Sequence, residues 1–156
     1  MFEELFEKIG QKYIKEKELI QDKDIYEAYF LLKEKNDEGA LILKAIIEII
    51  CKKYDKAIEN LKRLEQEENQ IIKDDKIYEF LGLCFYQTNN ILSATTYFVK
   101  ALEENEDNFY CRYNLTNILL KNGDYKKAFE NLKILEKEEP ENETIKKNLE
   151  LVQKRL

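Results

Sequence analysis

Apolar residues recur at helical spacing along nearly the whole chain, with charged residues filling the positions between them. Phe2, Leu5, Phe6, Ile9 and Tyr13 form one stripe, and Tyr26, Ala28, Tyr29, Leu31 and Leu32 form a second. Together they predict a divergent helical hairpin over residues 1–36. The stretch ALILKAIIEIICKK, residues 40–53, is apolar on nearly every face. Amphipathic stripes follow at Tyr54, Ala57, Ile58, Leu61 and Leu64, and again at Tyr125, Ala128, Phe129, Leu132 and Leu135. In the tail 143–156, Ile145, Leu149, Val152 and Leu156 share one side, which predicts a terminal helix with a solvated outer face. A single stripe of this kind cannot bury itself, so these helices must pack on one another.

The stripes repeat in sequence as well as in pattern. Laying Tyr54 over Tyr125 gives eleven identities in sixteen residues. Ala94 to Ala128, Leu81 to Leu115 and Phe98 to Leu132 are each 34 residues apart, whereas Ala57 to Ala94 is 37. The three extra residues are assigned to the linker 70-QIIKD-74. A fixed period near this length is the mark of stacked supersecondary units.

Punctuation supports helical hairpins. Asn122-Gly123 supplies a residue free to take positive φ at a helix end, and Asp124 can cap the helix that follows. Pro140 stops that helix. Asp107-Asn108 and Asp74-Asp75 stand before helices expected near Phe109 and Lys76.

These residues resemble the tetratricopeptide repeats, whose pattern is an aromatic, Leu-Gly, an aromatic, a small Ala, a large apolar residue and a Pro. Residues 75–108 carry it at Tyr78, Leu81-Gly82, Phe85, Ala94, Phe98 and Ala101, with Glu106 in place of the Pro. Residues 109–142 carry its second half at Gly123-Asp124-Tyr125, Ala128, Leu132 and Pro140, with Arg112, Thr116 and Leu119 replacing the first aromatic, the Gly and the second aromatic. Residues 38–71 form a degenerate repeat whose first helix lacks Leu-Gly and reads as one residue short. The resemblance implies a single all-α domain over 1–156: a right-handed α-solenoid of antiparallel hairpins, closed by a C-terminal capping helix over 143–156.

Composition narrows the function. The chain has 156 residues, one Pro, four Gly and a formal charge of −6, the balance of a helix-rich globular protein. Acidity argues against nucleic acid as a partner, because phosphate binding needs clustered Lys and Arg. No run of residues is long and apolar enough for a membrane span. The charged start MFEELFEKIG is unlike a signal peptide, and a cytoplasmic location is expected. Cys51, Cys84 and Cys111, each in an apolar helical stretch, are expected as buried free thiols.

Catalysis finds little to work with. The chain has no His, its glycines are isolated and its cysteines lack C-x-x-C spacing, so no enzyme activity, cofactor or metal site is expected. The acidic runs 65-EQEE-68 and 136-EKEE-139 read as solvated faces.

In the resembled family the first helices of successive repeats line a concave surface that binds segments of other proteins. Carried over residue by residue, that surface comprises Lys76, Glu79, Leu83, Tyr86 and Gln87 in one repeat. In the next it comprises Tyr110, Tyr113, Asn114, Asn117, Leu120 and Lys121. In the degenerate unit the same face is Leu41, Ala45, Glu48 and Ile49. Tyrosines suit interfaces, and the asparagines are suited to hydrogen-bonding a peptide backbone, so a peptide-binding groove is expected. The aliphatics serve equally as core. The carboxylate clamp of one subclass is incomplete, since Tyr113 stands where that clamp has a Lys. The expected function is a protein-binding scaffold or co-chaperone. The alternatives are a homo-oligomer assembled through Phe2, Leu5 and Phe6, or a relative of the secretion chaperones.

Overall fold

The computed structural model describes residues 2–66 and 75–156, and the 70–74 linker lies outside them. Among the described residues stand ten helices: α1 (Glu3–Ile9), α2 (Ile14–Gln21), α3 (Ile25–Leu32), α4 (Glu38–Ile50), α5 (Tyr54–Gln66), α6 (Asp75–Gln87), α7 (Ile91–Glu104), α8 (Phe109–Lys121), α9 (Tyr125–Glu138) and α10 (Glu143–Gln153). From α4 onward they pair as α4–α5, α6–α7 and α8–α9, and each second helix also packs on the first helix of the next pair. Helix α10 closes the stack against α9.

Capping side chains fix most of these boundaries. Asp37, Asn90, Asn108, Asp124 and Asn142 each accept from a backbone N–H in the first turn of α4, α7, α8, α9 and α10. Gly123 has φ 76°, as the turn between α8 and α9 requires. Pro140 lies two residues beyond the end of α9.

Two cores result. The larger runs from Leu5 to Ile118, and a smaller one joins Leu132 and Leu135 of α9 to Ile145, Leu149 and Val152 of α10. Leu156, expected on that side, is exposed beyond the end of α10. Cys84 and Cys111 are buried, and burial, with the charge of Glu48, pushes the Cys84 thiol up to about 12. Cys51 is exposed instead, because α4 ends at Ile50 and leaves it in the turn.

Helix α4 is not short. Glu38 to Asp75 is 37 residues and so is Tyr54 to Ile91, so α4–α5 and α6–α7 are in constant register. Ala45 therefore occupies the place of Gly82. A Cβ built on Gly82 would lie 2.5 Å from the Phe98 ring of α7, so the two helices meet there without room for a methyl group. The equivalent pairs are Ala45 with Leu61, and Thr116 with Leu132; each position larger than Gly faces a smaller apolar residue than Phe. Every residue of α4 from Ala40 to Ile49 is buried, as a helix apolar all round must be.

The N-terminal third departs from the expected two-armed hairpin. Gly10 at φ 66° and Tyr13 at φ 59° break its first arm into α1 and α2, leaving α3 as the partner of α2. Ala28 and Leu32 turn inward from α3, while Tyr26 is 94% and Phe30 76% exposed. Leu5 and Phe6 are buried as their stripe requires, and Phe2 packs against the core, so the surface invoked for the alternative homo-oligomer is covered within the chain.

Glu65 is no solvated charge either. It accepts from the Tyr97 hydroxyl at 2.7 Å and from Lys100 Nζ at 2.7 Å, joining α5 to α7. Its neighbours Glu67 and Glu68 lie outside the described residues.

Two predictions test this packing. Gly82→Ala is expected to destabilise the chain by about 1–3 kcal/mol through the clash with Phe98, and Phe98→Leu in the same chain should recover part of that loss. Chemical denaturation measures both. The second concerns Glu65: its burial raises the carboxyl pKa, but the bonds from Lys100 and Tyr97 outweigh this and hold it below the ordinary value. A folded-state pKa that is depressed gives stability present above the unfolded-state value and lost as pH falls through the folded one. Glu65→Gln should therefore be less stable than the parent at neutral pH, with the gap closing below about pH 4. A gap independent of pH would contradict this assignment.

Candidate functional site

Each first helix, α4, α6 and α8, packs on its own second helix, and α6 also meets α8 directly. On α6 the expected groove face carries Lys76, Glu79 and Leu83, on the side of the helix turned away from Tyr78 and Phe85, whose rings meet Tyr97 of α7. On α8 it carries Tyr110 and Asn114. A hollow of about 270 Å³ gathers Lys76, Glu79, Phe80, Leu83, Tyr110 and Asn114, with Glu3 and Glu4 of α1 at its edge.

Within the hollow, the ionic residues are already paired. Glu79 is buried, accepting from Lys76 Nζ at 3.0 Å and from Asn108 Nδ2 at 2.9 Å. Asn108 also bonds Asp75 at 2.7 Å while capping α8 through Cys111 N at 2.9 Å, so the cap of one hairpin is tied to the start of the one before. Glu79 is thus a structural group at the floor of the groove. Partial burial opposes the charge on Lys76, but Glu79, Glu4 and Asp75 more than offset it and hold its pKa above the ordinary value. Lys76 Nζ lies 3.7 Å from Glu4 and 6.0 Å from the centre of the Tyr110 ring.

Beyond the hollow the remaining expected groove residues divide. Lys121 Nζ donates to Tyr86 Oη at 2.7 Å and sits 5.2 Å from the ring centre, covering that tyrosine. Tyr110 is 61% exposed. Tyr113 is half-buried, stacked on Phe109 at 6.1 Å and packed against the smaller core. Asn114 donates to the Tyr110 carbonyl at 2.9 Å, which leaves its side-chain carbonyl to accept. Asn117 and Leu120 are half-buried, and Gln87 is exposed.

On α4 the expected face Leu41, Ala45, Glu48 and Ile49 is wholly buried. With the register at 37, the positions matching Lys76, Glu79 and Leu83 are Gly39, Ile42 and Ile46. The missing Leu-Gly pair hid that register in the sequence, although Asp37, the cap of α4, marks it. Glu48 is instead held by Asn60 Nδ2 at 2.8 Å, and burial raises its carboxyl pKa.

Sequence reasoning missed a second set of residues at this face: those of α1. Phe2 lies 5.4 Å from Phe80, ring centre to ring centre. Ile9 Cγ2 and the Tyr13 ring come within 3.2–3.3 Å of where a Cβ on Gly39 would stand. The signal was the stripe Phe2, Leu5, Phe6 and Ile9 with carboxylates beside it, which marks a helix needing a groove of its own.

Stacked hairpins in constant register, with a shared face built from their first helices, define a helical-repeat solenoid. Residues 97–130 match the tetratricopeptide repeat family. That match spans the length of one repeat, and the fold of the chain is similar to that of solved helical-repeat proteins. MamA (AMB-1) is 20% identical with a TM-score of 0.75, the alignment covering 90% of this chain and 78% of that one. YrrB, a TPR protein with an unusual peptide-binding site, is 13% identical with a TM-score of 0.76, over 88% of this chain and 72% of its own. MamA (MSR-1) is 20% identical with a TM-score of 0.71, over 90% and 82%. No curated protein matches the chain by sequence. Among the described residues no helix is long and apolar enough to cross a membrane.

The placement of the two tyrosines predicts opposite outcomes. Tyr113→Ala is expected to cost about 1–2 kcal/mol, from the lost stacking and burial. Tyr110→Ala should change stability by less than about 0.5 kcal/mol. Thermal melts of the two variants check the division.

Proposed function

We propose that the chain is a non-catalytic protein-interaction scaffold of the co-chaperone kind, which binds a segment of a partner protein along the face of α6 and α8. The observation that carries this is the hollow beside Tyr110. An exposed aromatic ring, an aliphatic Leu83, a lysine and an amide carbonyl converge there within reach of one short segment. Large amphipathic rings in a concave setting are the usual anchors of such binding. The fold shared with YrrB, itself a protein with a peptide-binding site, supports a peptide as the ligand class. Tyr110, Leu83 and Asn114 make the contacts in this reading. Tyr86 and Lys121 form the far rim, Asn117 lies between, and Tyr113 with Glu79 supports them from below. The units 38–71, 75–108 and 109–142 act as the repeats and 143–156 as the cap. The free thiols at Cys84 and Cys111 fit a reducing, cytoplasmic setting.

A second reading, self-assembly, rests on Tyr26 and Phe30, which stand one turn apart and exposed on α3. Size in solution separates it from the first, which expects a monomer.

Affinity capture from the parent cell lysate with the wild type and Tyr110→Ala tests the groove. A partner held by the wild type and lost by the equally stable variant is expected. Equal capture by both would contradict it.

A further inference from the structure

Helix α1 belongs to none of the stacked hairpins, yet it lies across their shared face. Its N-terminal end reaches α6, with Phe2 against Phe80 and Glu4 3.7 Å from Lys76. Its C-terminal end reaches α4, where Ile9 approaches Gly39. Leu5 and Phe6 are its buried residues. The position is that of a ligand.

Helix α1 is also weakly held. It has seven residues, too few for a helix to persist unaided in water. Its N-cap is Phe2, which makes no side-chain cap bond, whereas α4, α7, α8, α9 and α10 all have one. Gly10 and Tyr13, both at positive φ, join it to α2 by a short hinge. Across the hinge, Lys17 Nζ bonds the Phe6 carbonyl at 3.2 Å and the Gly10 carbonyl. The hollow at Leu83 and Tyr110 begins where α1 stops.

We infer that α1 is an internal occupant of the interaction groove, and that the groove's external ligand is an acidic amphipathic helix of the same pattern, Phe-x-Glu-Leu-Phe, extended by one turn into the hollow. This rests on the reading of that face as a partner site and names its ligand class. Phe, Leu and Phe at i, i+3 and i+4 fill the places of Phe2, Leu5 and Phe6, and a carboxylate at i+2 faces Lys76. A tethered segment competes at a high effective concentration, so the external helix must gain contacts that α1 lacks. Leu83 and Tyr110 supply them. Docked α1 lowers the apparent affinity by the fraction of molecules in which it is closed.

The test is a titration of the full chain with a synthetic peptide, Leu-Glu-Glu-Leu followed by residues 2–10, read by calorimetry. Phe2→Ala in the protein removes the contact with Phe80 at a half-buried position and is expected to tighten peptide binding by about tenfold. Tyr110→Ala should weaken it, and a peptide with Lys in place of the Glu facing Lys76 should not bind. A contact that was only structural would not make its loss improve binding. Equal affinity for the wild type and Phe2→Ala overturns the role of α1, while loss of binding in Tyr110→Ala in that same experiment would keep the groove. Absence of binding to all three proteins overturns the ligand class and leaves the groove to the capture experiment. A wild-type dimer abolished by Phe2→Ala would put a second copy's α1 in the groove and overturn the proposal.

Discussion

Helix α4 is largely apolar and buried around its whole circumference, and the N-terminal part of the molecule is arranged to cover it. Its ten consecutive buried residues exceed what one partner helix can shield. Helix α5 takes one side, α2 and α3 another, and α1 with Tyr13 covers the remaining face at Gly39. Lys44 shows how closely the cover fits: buried in the middle of this helix, its ammonium donates to the Lys33 carbonyl at 3.1 Å and the Lys35 carbonyl at 2.5 Å in the turn after α3. A buried charge is tolerated there because backbone acceptors replace its water.

The same constraint shapes the interaction face. Where the first helix of a hairpin is amphipathic, as in α6 and α8, its outer face can stay open to a partner. Where it is apolar, as in α4, the chain must supply its own cover. The boundary between the two regimes runs through Phe80 and Lys76, and there α1 ends and the hollow begins. Close packing of α6 on α7, set by Gly82 against Phe98, fixes the helix that carries this boundary.

Much of the repeat region was legible in the sequence because period, caps and small residues agree with one another. Asn108 and Asp124 cap the helices expected of them, and Ala94, Phe98 and Ala128 are buried as their stripes require. Three features were not legible. The breaks at Gly10 and Tyr13 depend on backbone conformations that no stripe reveals, and Tyr is an uncommon residue at positive φ. The face of α4 was displaced because the Leu-Gly landmark is absent, although the constant spacing of 37 carried the register. The bond from Asn108 to Glu79 joins the cap of α8 to α6, and helical periodicity describes only one helix at a time. Of the groove residues expected, the structure gathers Lys76, Glu79, Leu83, Tyr110 and Asn114 around one hollow, joins Tyr86 to Lys121, and turns Tyr113 toward the smaller core.

Native-state amide hydrogen exchange tests the account most directly, because it reads the docking of each helix separately in the unmodified chain. If α1 is a detachable cover on a firmly packed array, its amides exchange by local opening, at least about a hundredfold faster than those of α4 and α6, which exchange only on global unfolding. Protection of α1 equal to that of α4 would mean that the two open together, and would contradict a groove from which α1 can withdraw.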